Sequence, residues 1–179
     1  MLFADVRGFT PQTESSNPES MARLMNRFYG AAIHVISHRD GIIDKLVGDE
    51  VMALFIQGFA GPSYIEKMAQ SAEEILRDLG YGRGAPWLPV GIGLDFGRAF
   101  VGNVGTEGVK DFTAIGDVVN TAARIQNQAK PGQIVMTERV YSVVAERYPA
   151  AEAVELQLRG KREPVAARVI DLNPVPSAA

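Results

Sequence analysis

Two acidic residues sit where apolar runs give way to turns. Asp5 lies in Phe3-Ala4-Asp5-Val6-Arg7-Gly8-Phe9-Thr10, and Asp49 in Asp44-Lys45-Leu46-Val47-Gly48-Asp49-Glu50-Val51. Hard divalent cations take oxygen ligands, and those used in phosphoryl chemistry are held by one or two protein carboxylates together with substrate phosphates. Asp5 and Asp49 therefore read as a candidate metal pair. Either acid alone reads equally as an acceptor for turn amides, so the pairing depends on the two meeting in space. A second constellation, residues 111–124, closes with Asn120 and Arg124 four apart, hence on one helix face. An amide and a guanidinium could there hold a ribose oxygen and developing phosphoryl charge. Taken by itself, the same pair fits an exposed polar stripe.

The elements that must position these groups follow from period and punctuation. Asn17-Pro18-Glu19 supplies an N-cap, a proline at the first helical position and an acid in the first turn. Met21, Leu24, Phe28, Ala31, Val35 and Ile36 recur at helical spacing until Asp40-Gly41 ends the run. Residues 42–47 and 51–56 flank Gly48-Asp49 and read as a hairpin of largely buried strands. A second helix is expected over 63–79, ending in a glycine- and proline-rich stretch. Strands follow at 88–96 and 98–104, expected to join tightly through Gly97, then a short strand at 112–115. A helix over 117–128 opens with Gly116 and Asp117 as turn and N-cap. A strand at 133–136, a helix at 138–146 and two closing strands complete the reading, with 173–179 a loose tail.

This β-α-β-β-α-β order with additions is the split βαβ plan, an α+β ferredoxin-like core carrying extra strands and helices. In that plan the first and third strands are antiparallel neighbours at the centre of the sheet. The end of strand one and the turn between strands two and three then share an edge, so Asp5 and Asp49 are expected to meet despite their separation in sequence.

Composition narrows the possibilities. The chain has 179 residues, 46% hydrophobic and 22% charged, which suits one domain over 1–172 better than two. A net charge of -3 provides no global field for nucleic acid or an anionic membrane, so phosphate recognition must be local. The absence of cysteine excludes disulfides, thiolate zinc sites and nucleophilic cysteine. No apolar run reaches the ~18 residues needed to span a bilayer. The expectation is a cytoplasmic module without direct membrane contact. Met1, immediately before a buried strand, suggests an excised domain whose parent protein could be membrane-attached. His34 and His38 are four apart but lack a third ligand and read as helix surface or packing. The glycines of Gly91-Ile92-Gly93 and Gly102-Asn103-Val104-Gly105 match no phosphate-loop or dinucleotide pattern and are expected to ease turns and close strand approach.

The Asp5 segment, the Lys45 to Phe55 segment and the Phe112 to Arg124 segment, in this order and spacing, resemble the signature blocks of the class III nucleotidyl cyclase catalytic domain. The resemblance runs from Leu2 to about Leu172. It implies the class III cyclase fold, a head-to-tail homodimer, and a phosphorus-oxygen lyase that turns a nucleoside triphosphate into its 3′,5′-cyclic monophosphate and pyrophosphate. It further implies that Asp5 and Asp49 bind two divalent cations, Mg or Mn, with the Val6 carbonyl as an extra ligand. Lys45 matches the base-reading lysine, and Thr113 stands where many members carry an aspartate. Asn120 and Arg124 match the pair that orients the ribose and stabilises the transition state. Arg98 matches a phosphate-contacting position, and Arg159 stands where a triphosphate-binding lysine is common, with Lys161 able to share the task. Asp5, Asp49 and Arg98 would come from one chain, and Lys45, Thr113, Asn120, Arg124 and Arg159 from its partner, giving two sites per homodimer. The chain departs from the pattern at Thr113, at Arg159, where guanidinium geometry replaces an ammonium, and at Asp95, where histidine is frequent and no role follows from the sequence.

The chemistry the resemblance implies is in-line attack of the ribose 3′ oxygen on the α-phosphorus, aided by the two ions, with Arg124 neutralising charge on the α-phosphoryl group. No general base is evident. A lysine ammonium only donates, adenine N1 only accepts and guanine N1 carries a hydrogen, so Lys45 favours ATP over GTP. The Thr113 hydroxyl can donate or accept and does not settle the base. The expected function is adenylate cyclase. The alternatives are guanylate cyclase and a non-catalytic, cyclase-like nucleotide-sensing or dimerisation module, against which stands the presence of both carboxylates, Lys45, Asn120 and Arg124.

Overall fold

The structure is a computed structural model that describes residues 1–8 and 17–173. Phe9, Thr10 and the greater part of the expected tail, residues 174–179, lie outside the described residues. The chain runs β1 (Leu2–Val6), α1 (Pro18–His38), β2 (Ile42–Val47), β3 (Glu50–Leu54), α2 (Gln57–Ala60), α3 (Tyr64–Asp78), β4 (Val90–Leu94), β5 (Phe100–Thr106), β6 (Val109–Ile115), α4 (Asp117–Gln126), β7 (Gln133–Thr137), α5 (Glu138–Val144), β8 (Glu152–Leu156) and β9 (Val165–Asp171). Seven strands form one sheet in the order β2-β3-β1-β4-β7-β9-β8, while β5 and β6 form a separate two-stranded ribbon. The first four strands of that order, with α1 and α3, are the expected ferredoxin-like core; β7, β8 and β9 widen it.

Burial explains the layering. β1 and β4 are apolar on both faces because helices cover both sides of the centre of the sheet. On one side Phe28, Val35 and Ile36 of α1 and Met68, Ile75 and Leu76 of α3 pack on Leu2, Ala4, Ile92 and Leu94. On the other side Phe3, Met52 and Leu54 meet Val118 and Ala122 of α4 and Ala114 of β6. The α1 helix starts as its sequence directs, with the Asn17 side chain accepting from the Glu19 N–H at 2.9 Å and Pro18 in the first turn. The hairpin of β2 and β3 turns at Gly48, whose φ of 62° is the left-handed conformation that glycine adopts freely.

Two glycines of β4 set the height of α4 above the sheet. A Cβ at Gly93 would stand 2.4 Å from the Gln126 backbone nitrogen, and one at Gly91 would stand 2.8 Å from the Ala129 carbonyl oxygen. Helix and sheet touch here backbone to backbone. Gly93→Ala is expected to destabilise the fold by about 1–3 kcal/mol or more, because backbone cannot move aside as a side-chain tip would. Thermal unfolding measures it, and an unchanged melting temperature would mean that the helix floats freely over the sheet.

The tight connection expected at Gly97 does not form. β4 is enclosed between β1 and β7 and has no free edge for β5. β5 instead pairs with β6 from Phe100↔Ile115 to Thr106↔Val109, turning at Gly108 with φ 99°. The short strand expected at 112–115 therefore begins at Val109. The one-turn helix α2 was not expected, since four residues carry no period.

Asp95, without a role in the sequence reading, is a fully buried anchor. Its carboxylate accepts from Thr137 Oγ1 at 2.7 Å, from its neighbour's Phe96 N–H at 2.9 Å and from Arg139 Nε at 2.6 Å, with a second guanidinium contact alongside. This ties the end of β4 to the start of α5. Arg139→Met leaves a buried carboxylate with its two neutral donors and is expected to cost about 2–3 kcal/mol, below the full value for an orphaned buried charge. Chemical denaturation would show it as a lower midpoint with an unchanged slope.

Candidate active site

Asp5 and Asp49 come together. Asp5 pairs in register with Glu50 across β1 and β3, and the Val6 N–H donates to the Asp49 carbonyl at 3.3 Å. Burial, together with the charge of the neighbouring Asp49, holds the Asp5 carboxyl above the ordinary carboxylate range. Glu50 is raised for the same reasons, burial first and then the charges of Asp5 and Asp49. A carboxyl raised in the folded state contributes stability below its unfolded pKa that is lost as pH rises through the raised value. Three acids crowded here thus leave the site short of positive charge at neutral pH. Arg7 supplies part of it, with Nη1 3.3 Å from Asp5.

The frame around the pair explains its convergence. The Tyr29 hydroxyl, reaching from α1, donates to the Gly48 carbonyl and so pins the turn that carries Asp49. Arg7 donates to the Gln126 carbonyl at the end of α4, while its Nε is buried without a partner. Two anionic oxygen ligands at a half-buried strand end, repelling one another, form a donor set suited to a hard divalent ion and not to a soft one. Val6 contributes backbone at the same place. Among the described residues no group of three or more His, Cys, Asp or Glu side chains is placed to hold a metal ion, Asp5, Asp49 and Glu50 included, so an ion at the Asp5 and Asp49 pair would draw its further oxygen ligands from backbone, substrate or water. His34 and His38 stand with ring centroids 4.7 Å apart.

A second group gathers where β2 meets the ribbon. The Lys45 ammonium pairs with Asp111 and lies 3.7 Å from Asp44, and the Thr113 hydroxyl donates to Asp44 at 3.0 Å. The hydrogen bond from Lys45 to Asp111 is the main reason that the lysine pKa is raised. Lys45 and Thr113, sixty-eight positions apart in sequence, therefore share one carboxylate.

A third group lies along α4. Asn120 is exposed and Arg124 half-buried, with the Arg124 guanidinium beside Gly160, where a Cβ would sit 3.4 Å from both terminal nitrogens. Gly160 has φ 78°, so the turn that carries Arg159 and Lys161 folds against Arg124. Leu158 holds that turn in place by packing with Ile125 and Ala129. Arg159 is exposed. Lys161 is engaged by Asp117, at 2.7 and 2.6 Å from its two oxygens. Asp117 is the first residue of the helix and Gly116 its N-cap, without a side-chain cap; the carboxylate expected to cap the helix is spent on Lys161. Arg98 is exposed in the connection between β4 and β5, where it lines a cavity with Leu54, Tyr64 and Val118.

The sequence reading missed Arg7, Tyr29, Asp44 and Asp111. Arg7 and Asp44 had a signal, since each is a charge adjoining a strand residue already singled out. Tyr29 and Asp111 had none, because their partners are fixed only by the way α1 and the ribbon dock.

Comparison with known proteins bears on the family and the fold. Residues 1–169 match the model of the adenylate and guanylate cyclase catalytic domain. An adenylate cyclase of Anabaena cylindrica is 34% identical over 147 residues, 78% of this chain and 29% of that protein. The terminal-differentiation-specific adenylate cyclase of Dictyostelium discoideum is 31% identical over 74% of this chain and 6% of its own length. The chain thus spans less than a third of these relatives. Among solved structures, the guanylyl cyclase Cya2 superposes with a TM-score of 0.84 at 28% identity, covering 99% of this chain and 93% of that one. The adenylyl cyclase CyaB from P. aeruginosa gives 0.80 at 25% identity, with 95% and 92% covered. No helix among the described residues is long and apolar enough to cross a membrane. With both the sequence match and the superposition extending over nearly all of its length, the chain belongs to the adenylate and guanylate cyclase catalytic domain family.

Proposed function

We propose that this chain converts ATP to 3′,5′-cyclic AMP and pyrophosphate, in sites shared between two copies. The observation that carries the reading is the convergence of Asp5, at the end of β1, with Asp49, in the turn between β2 and β3, two neighbouring carboxylates of the kind that hold a hard divalent cation. Bound there, magnesium or manganese would supply Lewis acidity to the ribose 3′ hydroxyl and charge neutralisation on the triphosphate. The chain's own groups do the rest. Asn120 holds the ribose, Arg124 faces the charge that grows on the α-phosphoryl group, and Arg98 and Arg159 neutralise the phosphates that leave as pyrophosphate. Lys45, flanked by Asp44 and Asp111, is a donor-only ammonium that matches adenine N1.

Sharing between copies is supported by the surface. Leu46, Val47, Phe100, Phe112 and Ile115 are 41–59% exposed, all on β2 and the ribbon, the same elements that carry Lys45 and Thr113. A second copy placed head-to-tail over these residues would cover them and bring its own Asp5 and Asp49 edge opposite Asn120 and Arg124. The test is purified protein with ATP or GTP and magnesium or manganese, following cyclic nucleotide and pyrophosphate together. Cyclic AMP and pyrophosphate in equal amounts, with ATP preferred, is the expected result. Nucleotide binding without pyrophosphate release would overturn it in favour of a sensing module.

A further inference from the structure

Asp44 is the residue that the β2–β3 ladder skips. Ile43 pairs with Ala53 and Lys45 with Met52, so two steps along β2 match one along β3 and Asp44 is the extra residue. Such a bulge takes a residue out of the ladder and re-aims its side chain. The Asp44 side chain is fully buried beneath the ribbon. Its Oδ2 accepts from Thr113 Oγ1 at 3.0 Å and lies 3.7 Å from Lys45 Nζ, while its Oδ1 is buried with no hydrogen-bond partner. A carboxylate held with one oxygen orphaned works against folding, which is the mark of a group kept for its effect on a site.

That effect follows from counting hydrogens. A hydroxyl has one hydrogen and two lone pairs. With its hydrogen given to Asp44, Thr113 offers only lone pairs to anything that enters beside it. A carboxylate has no hydrogen to return, so the direction of the bond is fixed. Purines differ at just this point, for adenine carries an amino donor at C6 where guanine and hypoxanthine carry a carbonyl acceptor. Thr113 alone is ambivalent between the two, and Asp44 removes the ambivalence.

We infer that Asp44 is a positioning residue that determines base specificity: by taking the Thr113 hydrogen it makes that hydroxyl a fixed acceptor, which admits 6-amino purines and rejects 6-oxo purines. The inference rests on the reading of the chain as a purine nucleotide cyclase. Asp44 touches no reacting atom in this account and acts through Thr113.

The experiment compares ATP with inosine triphosphate, which differs from ATP only at C6 and at the N1 hydrogen that accompanies the carbonyl. Asp44→Leu replaces the carboxylate by an apolar group of similar shape, and burying it in place of an orphaned oxygen is compatible with folding. It is expected to lower the ATP-to-inosine-triphosphate ratio of kcat/KM by about tenfold or more, mainly through faster turnover of inosine triphosphate. Asp44→Asn keeps a carbonyl acceptor for the hydroxyl and should hold the ratio within about threefold of the parent. In a Thr113→Val background, adding Asp44→Leu should change the ratio by less than about twofold, because the group through which Asp44 acts is gone.

A folded Asp44→Leu protein with the parent's ratio would overturn the inference, as would a shift that persists in the Thr113→Val background. Should Asp44→Leu not melt cooperatively, Asp44→Ala takes its place in the comparison, and failure of both to fold would make the residue a structural support of the bulge and end the proposal. If the parent cyclises neither nucleotide, the cyclase reading is what fails. The same ratio read as equilibrium affinity for the two triphosphates then decides the part played by Asp44 separately.

Discussion

Asp49→Asn is expected to lower cyclisation by about 10³-fold while leaving the metal-free protein as stable as the parent or more so. The two halves of this expectation come from the same geometry. Asp49 and Asp5 repel one another, and that repulsion contributes to raising the Asp5 carboxyl. An amide of the same shape removes the repulsion, so the melting temperature holds or rises. It also removes an anionic ligand from a site with few others, and the catalytic loss follows. Steady-state pyrophosphate release and thermal unfolding on the same preparation test both halves. Activity within about tenfold of the parent with asparagine at position 49 would take the carboxylate pair out of the chemistry. A fall in melting temperature would mean that Asp49 supports the turn in spite of its neighbour.

Mixing Asp49→Asn protein with Arg124→Ala protein is expected to restore about one quarter of the parent's activity, although each alone is inactive. In a homodimer with two shared sites, a mixed pair carries both lesions in one site and neither in the other. Random exchange makes half of the dimers mixed, and each has one intact site of two. The recovered activity should rise with the time allowed for subunit exchange and vanish when the two proteins are separated again. No recovery under conditions where exchange is demonstrated would place Asp49 and Arg124 in the same site of one chain. The apolar side chains around Lys45 and Thr113 bear on the same test, since Phe100 and Val47 are 58% and 59% exposed and give the second copy something to cover.

The central part of the fold was legible because its signals are local. The cap at Asn17, the proline at the start of α1, the helical period from Met21 to Ile36 and the glycine turn before Asp49 each name an element without help from the rest of the chain. From these the strand order β2-β3-β1-β4 follows, and with it the meeting of Asp5 and Asp49. What was not legible depends on tertiary choice. The ribbon was misread at Gly97 because strand propensity does not say which partner a strand will take, and β4 was already flanked on both sides. Asp95 had no role until α5 delivered Arg139 to it from forty-four positions away. The residues around Arg124 show the same division, since the spacing of Asn120 and Arg124 puts them on one face, whereas the approach of Gly160 is set by how Leu158 packs.

Because the β5–β6 ribbon shares no ladder with the seven-stranded sheet, it is a cassette that could be exchanged between relatives without cutting a hydrogen-bonded strand. Its graft would carry Thr113 but leave Asp44 behind on β2. On the proposed role of Asp44, transplanting nucleobase preference would demand that both halves of the contact travel together, one from the ribbon and one from the bulge beneath it.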